Sequence, residues 1–192
     1  MALPGEKENR YTYGDYISWS DEERWELIDG VPFNMSPSPS RSHQVILREL
    51  LGQFWSFLQD RACEVYSAPF DVRLPKADEE DEDIQTVVQP DILVVCDRNK
   101  LDEKGCRGAP DLIIEIVSPY TASKDMKEKF SLYERHGVRE YWLVYPIEKT
   151  VMVFILGKNG EYGKPRTYSQ HDTIEVSFLE GLIINLVPAF RE

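Results

Sequence analysis

Two acids stand where charge is otherwise excluded. Asp91 opens the run Asp91-Ile92-Leu93-Val94-Val95-Cys96, and Glu115 interrupts Asp111-Leu112-Ile113-Ile114-Glu115-Ile116-Val117. Runs this apolar read as strands buried on both faces. If the two strands form a hairpin around the polar stretch 97–110, the alternation of side chains sets Glu115 on a face with Ile113 and Val117. It sets Asp91 on a face with Leu93 and Val95. In a compatible register both carboxylates turn to one side. Two close carboxylates repel and are costly to desolvate unless protonated, paired or bound to a cation. A hard divalent ion, Mg2+ or Mn2+, suits them. Mg2+ takes oxygen ligands and is commonly held by one or two carboxylates plus a substrate phosphate. Such an ion polarises a phosphoryl group and makes a bound water more acidic. The alternative is structural: each acid pairs with a basic residue or caps a strand end. Asp91, after Pro90, stands where such caps are common.

A lysine supplies the third group. At 3.6 residues per turn, a helix from about Thr121 to His136 lines up Ala122, Met126, Phe130 and Tyr133 along one stripe. Lys129 falls inside that stripe, with Asp125 one turn before it, while Lys124 and Lys127 turn to the wet side. A lysine centred on a buried face needs a charged partner or must snorkel. Glu115, in the strand just before the helix, is a candidate partner. An ammonium beside it would orient an attacking water and stabilise charge building on phosphate. A plain bridge to Asp125 is the structural alternative.

These residues need a scaffold. The spacing predicts a short helix over 13–17 and a hairpin in which Asp29-Gly30 joins Trp25–Ile28 to Val31–Phe33. From His43 to about Asp60, Ile46, Leu47, Leu50, Leu51, Phe54, Phe57 and Leu58 recur at helical spacing and predict a long core-facing helix. One strand is expected within Glu64–Leu74, then the two acid-bearing strands, then the lysine helix closed by Gly137. Strands at 141–145, 151–156, 173–177 and 182–186 follow. This order reads as an α+β (α/β) fold with a central mixed sheet flanked by helices.

The chain has 192 residues, fitting one domain over 1–192. No apolar run approaches the ~20 residues of a membrane span. The opening MALPGEKENR lacks the apolar core of a signal peptide. Three cysteines without CxxC spacing suit a reducing cytoplasm better than a disulfide scaffold, with Cys96 a small core residue. A net charge of -12 argues against loose, charge-driven DNA binding. Part of it is the unbroken run Asp78 to Asp83, within a loop over 76–85, which reads first as a solvated loop. A cation-binding or DNA-mimicking segment is the alternative.

Pro90-Asp91 followed by Glu115 resembles the PD-(D/E)XK nuclease signature. The longer string Pro110-Asp111-Leu112-Ile113-Ile114-Glu115-Ile116-Val117-Ser118-Pro119, continuing through Lys129, Tyr133, Gly137 and Glu140-Tyr141-Trp142, resembles the Uma-two family of restriction-endonuclease-like proteins. Glu26-Leu27-Ile28-Asp29-Gly30 and His43-Gln44 are similar to that family's N-terminal pattern, so the resemblance spans about Tyr13 to Leu186. It implies a restriction-endonuclease-like core and metal binding by Asp91, Glu115 and the backbone carbonyl of Ile116. The signature's lysine position is Val117 here, and the resemblance moves that role to Lys129. Glu26, His43 and Asp125 would border the site, although His43 could equally cap or pack a helix. The implied activity is Mg2+-dependent endonucleolytic hydrolysis of nucleic acid, DNA first, with a homodimer suited to cutting both strands. Two departures stand out: Tyr145 precedes Pro146 where the family usually carries aspartate, and the charge balance is acidic. The latter implies a restricted basic groove, an unusual substrate, or a nuclease fold retained as an inactive protein-interaction module.

Overall fold

The computed structural model describes residues 10–19, 23–35, 39–118 and 125–191. Along the chain, α1 (Tyr13–Tyr16) precedes the hairpin β1 (Trp25–Ile28) and β2 (Val31–Asn34) and the long helix α2 (Arg41–Leu58). Then come β3 (Glu64–Ser67), β4 (Val72–Arg73), β5 (Val87–Val88), β6 (Ile92–Val95), β7 (Leu101–Asp102), β8 (Gly105–Arg107) and β9 (Leu112–Ile116). A π-helical turn, Asp125–Lys129, runs into α3 (Phe130–His136). The chain continues with β10 (Glu140–Tyr145), β11 (Thr150–Ile155), β12 (Arg166–Ser169), β13 (Thr173–Glu175), β14 (Ile183–Asn185) and α4 (Leu186–Ala189).

The main sheet has the order β12-β11-β10-β9-β6-β3. It is mixed: β9 and β10 run parallel, and the other neighbours run antiparallel. A parallel pair needs a crossover, and α3 lies within the connection from β9 to β10. One face of this sheet packs Ile92, Val94, Ile114, Ile116 and Trp142 against Ile46, Leu50 and Phe54 of α2. The other face packs Leu93, Val95, Ile113 and Tyr141 against Leu132 and Tyr133 of α3 and Val72, Val88 and Cys106. Ile92 to Val95 and Leu112 to Ile114 are wholly buried, as their unbroken apolar character predicts.

Val72, Val88 and Cys106 belong to a second sheet, β2-β1-β5-β4-β8-β7, which the spacing of apolar residues does not reveal. Its strands β4, β5 and β7 are two residues long, too short to carry a period. The single strand expected within Glu64–Leu74 is two: β3 joins the main sheet and β4 the second, with the chain turning between them at a cis Ala68-Pro69 bond. The Asp29-Gly30 turn does form, both residues in the left-handed region (φ 50° and 79°). A side chain at position 30 would meet the Arg10 Cβ at 2.3 Å. Ser40 caps α2 through the His43 amide, and Gly137 closes α3 in the left-handed conformation.

Two expectations are corrected. Cys63 and Cys96 form a disulfide. The β3–β6 register pairs Glu64 with Val95, which sets these cysteines opposite one another one step further on, a relation that spacing in sequence cannot show. Cys106 is free and buried. The acidic run is not only a solvated loop. Asp78, Glu80, Glu82 and Asp83 lie at the surface, but Asp81 is gripped by the fully buried Arg73, by Lys104 at 3.3 Å and by Arg107 at 3.1 Å. Arg73 reaches Asp102 at 2.6 Å as well. Asp81 thereby ties β4 to β8, and Asp102 ties β7 to β4. Among the described residues no helix is long and apolar enough to cross a membrane.

Candidate active site

Asp91 stands one step before β6, and Ile92 pairs with Ile114. Continuing that ladder sets Asp91 opposite Glu115. Both share the sheet face of Leu93, Val95, Ile113 and Val117, the one covered by α3. The Ile116 amide, at the β6 side of β9, donates to Asp91 Oδ2 at 2.7 Å. The register thus sets the two acids opposite one another where the ladder ends.

Glu115 is almost fully buried, yet its charge is well held. Its Oε1 accepts from Lys129 Nζ at 2.7 Å and from the Tyr133 hydroxyl at 2.8 Å. Lys129, 3% exposed, also lies 2.8 Å from Glu26 Oε1. Glu26 in turn accepts the Gln89 main-chain N–H at 3.1 Å. That last contact follows from β1 pairing with β5, Leu27 opposite Val87. Lys129 ends the π-helical turn and Tyr133 follows one α-helical turn later, so both reach the same oxygen from one helix face. Turns of this wide kind recur at functional sites. Burial pushes the Tyr133 phenol well above its usual range, and the Glu115 charge adds to the effect, so it remains a neutral donor.

His43, in the first turn of α2, lies with Nε2 3.1 Å from Asp91 Oδ1. Its Nδ1 is buried and has no hydrogen-bond partner among the described residues. The helix cap is made by the Ser40 hydroxyl, with His43 contributing its amide and leaving its ring for Asp91.

The structure therefore gathers Asp91, Glu115, Lys129, Glu26, His43 and Ile116 around the end of one strand pair. The side chain of Asp125 lies outside the described residues. Sequence reasoning does not find Tyr133 or Gln89 as site residues. Tyr133 reads as part of an apolar stripe, and its position four residues after Lys129 is the one signal that links it to Glu115. Gln89 contributes through its backbone, which residue type cannot announce. Glu140, part of the same family-like string, serves elsewhere: it is fully buried and holds the Trp142 indole at 2.7 Å and the Ser177 amide at 3.1 Å.

Two carboxylates, Glu26 and Glu115, share the Lys129 ammonium, and with Asp91 the acids of the site outnumber its lysine. Among the described residues no group of three His, Cys, Asp or Glu side chains is arranged to hold a metal ion. Two carboxylates and a main-chain carbonyl are a smaller set of hard oxygen donors, of the kind Mg2+ accepts while retaining waters.

The chain is 24% identical over 151 residues to "Uncharacterized protein slr1290" of Synechocystis, covering 77% of this chain and 75% of that one. Its fold matches a crystal structure described as a "putative nuclease belonging to DUF820" from Anabaena variabilis. The TM-score is 0.73 at 22% identity, covering 93% of this chain and 97% of the other. Residues 13–187 match the family Uma2, described as "Putative restriction endonuclease". With nearly its whole length accounted for in this way, the chain belongs to the Uma2 family.

Proposed function

We propose that this protein hydrolyses phosphodiester bonds in a reaction dependent on Mg2+ or Mn2+, as an endodeoxyribonuclease. The observation that carries the reading is the buried Lys129 ammonium bridging Glu115 and Glu26, with Glu115 opposed to Asp91 across the strand pair. Asp91, Glu115 and the Ile116 carbonyl would hold the ion, which supplies positive charge to the phosphate and a more acidic bound water. The protein's own groups contribute position. The Ile116 amide and His43 fix the two oxygens of Asp91. Tyr133 and Lys129 together fix Glu115. Glu26 holds Lys129 at the site rather than letting it extend to solvent, so its charge stands ready to stabilise negative charge building on phosphate. Phosphoryl transfer asks mainly for this kind of positioning and charge stabilisation.

A DNA substrate suits a cytoplasmic protein, and cleavage of both strands would be served by two copies of the site in a homodimer. The inactive interaction module would present the acidic segment to a basic protein, and Asp81 within that segment is already engaged by three basic residues. The test is nicking of supercoiled plasmid. The wild-type protein nicks with Mg2+ and stops with EDTA, and Asp91→Ala is inactive while still folded by circular dichroism. Equal nicking by wild type and Asp91→Ala, or none by either at any Mg2+ or Mn2+ concentration, contradicts the proposal.

A further inference from the structure

A second feature lies on the helix that carries His43 and is not part of the carboxylate site. A cleft of about 640 Å³ opens between the outer face of α2 and the end of α4, and Arg41, Arg48 and Arg191 line it with Glu49. In a chain of net charge -12 such a concentration of guanidinium groups is unusual. Several basic residues elsewhere are spent on acids: Arg73, Lys104 and Arg107 on Asp81, Lys76 and Arg135 on Asp29, Arg98 on Glu64. Among the described residues neither Arg41 nor Arg191 makes an ion pair. Arg48 pairs with Glu49 at 2.6 Å, but its side chain is 70% exposed, and such pairs contribute little and exchange readily.

The helix relates this cleft to the site. Residues 41, 45 and 48 share one face of α2, while His43 and Ile46 turn inward. His43 reaches Asp91 from the same first turn that carries Arg41 outward. The width of a helix, roughly 10 Å, separates the two sides of α2, and the first turn, where His43 meets Asp91, is where the cleft comes nearest the site. Arg41 and Arg48 are about 10 Å apart along the axis at 1.5 Å per residue. One nucleic-acid strand advances about 3.4 Å per nucleotide, so the two span about three nucleotides.

We propose that the Arg41–Arg48–Arg191 cleft is a docking track for the phosphate backbone of a DNA strand that passes the first turn of α2 to reach Asp91 and Glu115. Guanidinium forks suit phosphate oxygens, and phosphate contacts fix register on nucleic acid without reading sequence. The track confines attraction to one short stretch of an otherwise repelling surface, which is the restricted basic groove that the charge balance implies. The inference rests on the nuclease reading.

The experiment measures binding of a fluorescent DNA oligonucleotide by anisotropy in Ca2+, over a range of salt. The protein carries Arg41→Ala, Arg48→Ala and Arg191→Ala together, or, as a charge control, Lys158→Ala with Lys164→Ala, both exposed and outside the cleft. The arginine variant is expected to bind at least about tenfold more weakly, and its salt slope falls by about one for each phosphate left without a guanidinium. The lysine control keeps wild-type affinity, and Mn2+ binding by calorimetry is unchanged in both. Equal affinities for the arginine variant and the control overturn the proposal, as does a wild type that binds no DNA. So does a self-association, seen by sedimentation, that the arginine variant alone abolishes while DNA affinity stays unchanged, for then the cleft holds a second copy. Weakened binding by the arginine variant together with absent Mg2+-dependent nicking keeps the track and removes the hydrolytic reading. Nicking that depends on Asp91, with affinity unaltered by the arginine changes, does the reverse.

Discussion

Lys129 is the residue on which the proposed chemistry turns, and its burial is expensive enough to need a reason. Removing one partner of a buried ion pair costs about 3–5 kcal/mol, because the remaining charge is stranded. Lys129→Met strands two carboxylates, Glu26 and Glu115. This variant is expected to melt at lower temperature and to lose nicking, whereas Lys129→Arg keeps the charge and most of the stability. A Lys129→Met protein that nicks like wild type at a temperature where both are folded would remove the lysine from the mechanism. Tyr133 is a positioning residue, since it acts through Glu115. Tyr133→Phe deletes one hydrogen bond to a charged group, at about 1.5–3 kcal/mol of stability. It should weaken Mn2+ binding in calorimetry, because Glu115 is then held by fewer groups. Unchanged Mn2+ affinity would confine Tyr133 to the core.

At the scale of elements, the site is a product of strand order. Asp91 and Glu115 are legible in the sequence because each interrupts or opens an apolar run, and their faces follow from alternation alone. The register that opposes them, Ile92 with Ile114, is not legible, because backbone pairing leaves no mark on residue type. The same holds for the Cys63–Cys96 pair, which register creates. An ideal helical wheel finds Lys129 although the observed turn is π-helical, because its spacing to Tyr133 within the following α-helical turn is preserved. The second sheet escapes because its short strands carry no period; burial of Val72, Val88 and Cys106 and the Arg73–Asp81–Asp102 charge network hold it.

That charge network makes an element-scale prediction. Burial raises the carboxyl of Asp102, but hydrogen bonds from Arg73 and the Lys104 amide more than offset this and leave it below its usual range. A carboxyl depressed in the folded state contributes stability that is present above its unfolded value, about 3.9, and lost as pH falls through the folded value. Asp102→Asn should therefore lower the urea midpoint at pH 7 and differ less from wild type near pH 3. A gap that widens on acidification contradicts the assignment. The disulfide closes a loop of sequence separation 33, for which the chain-entropy relation gives about 3–4 kcal/mol. Reduction should lower thermal stability in wild type and leave Cys63→Ser with Cys96→Ser unaffected. Equal sensitivity in both would place the effect elsewhere.

For the whole molecule, the acidic surface and the nuclease fold pull in opposite directions. An acidic protein gains little from wrapping DNA, so under the proposed function its contacts with phosphate would be few and local. The acids of the site outnumber its lysine as well, and a bound divalent ion is what would let a phosphate approach Asp91 and Glu115 at all. The most direct measurement is anomalous scattering from crystals grown with Mn2+ and a short DNA duplex. The account predicts a peak in contact with the carboxylates of Asp91 and Glu115 and the carbonyl of Ile116, with Lys129 still beside Glu115. A saturated crystal with no peak there, or with Mn2+ bound only at the exposed acids of 78–83, would contradict it.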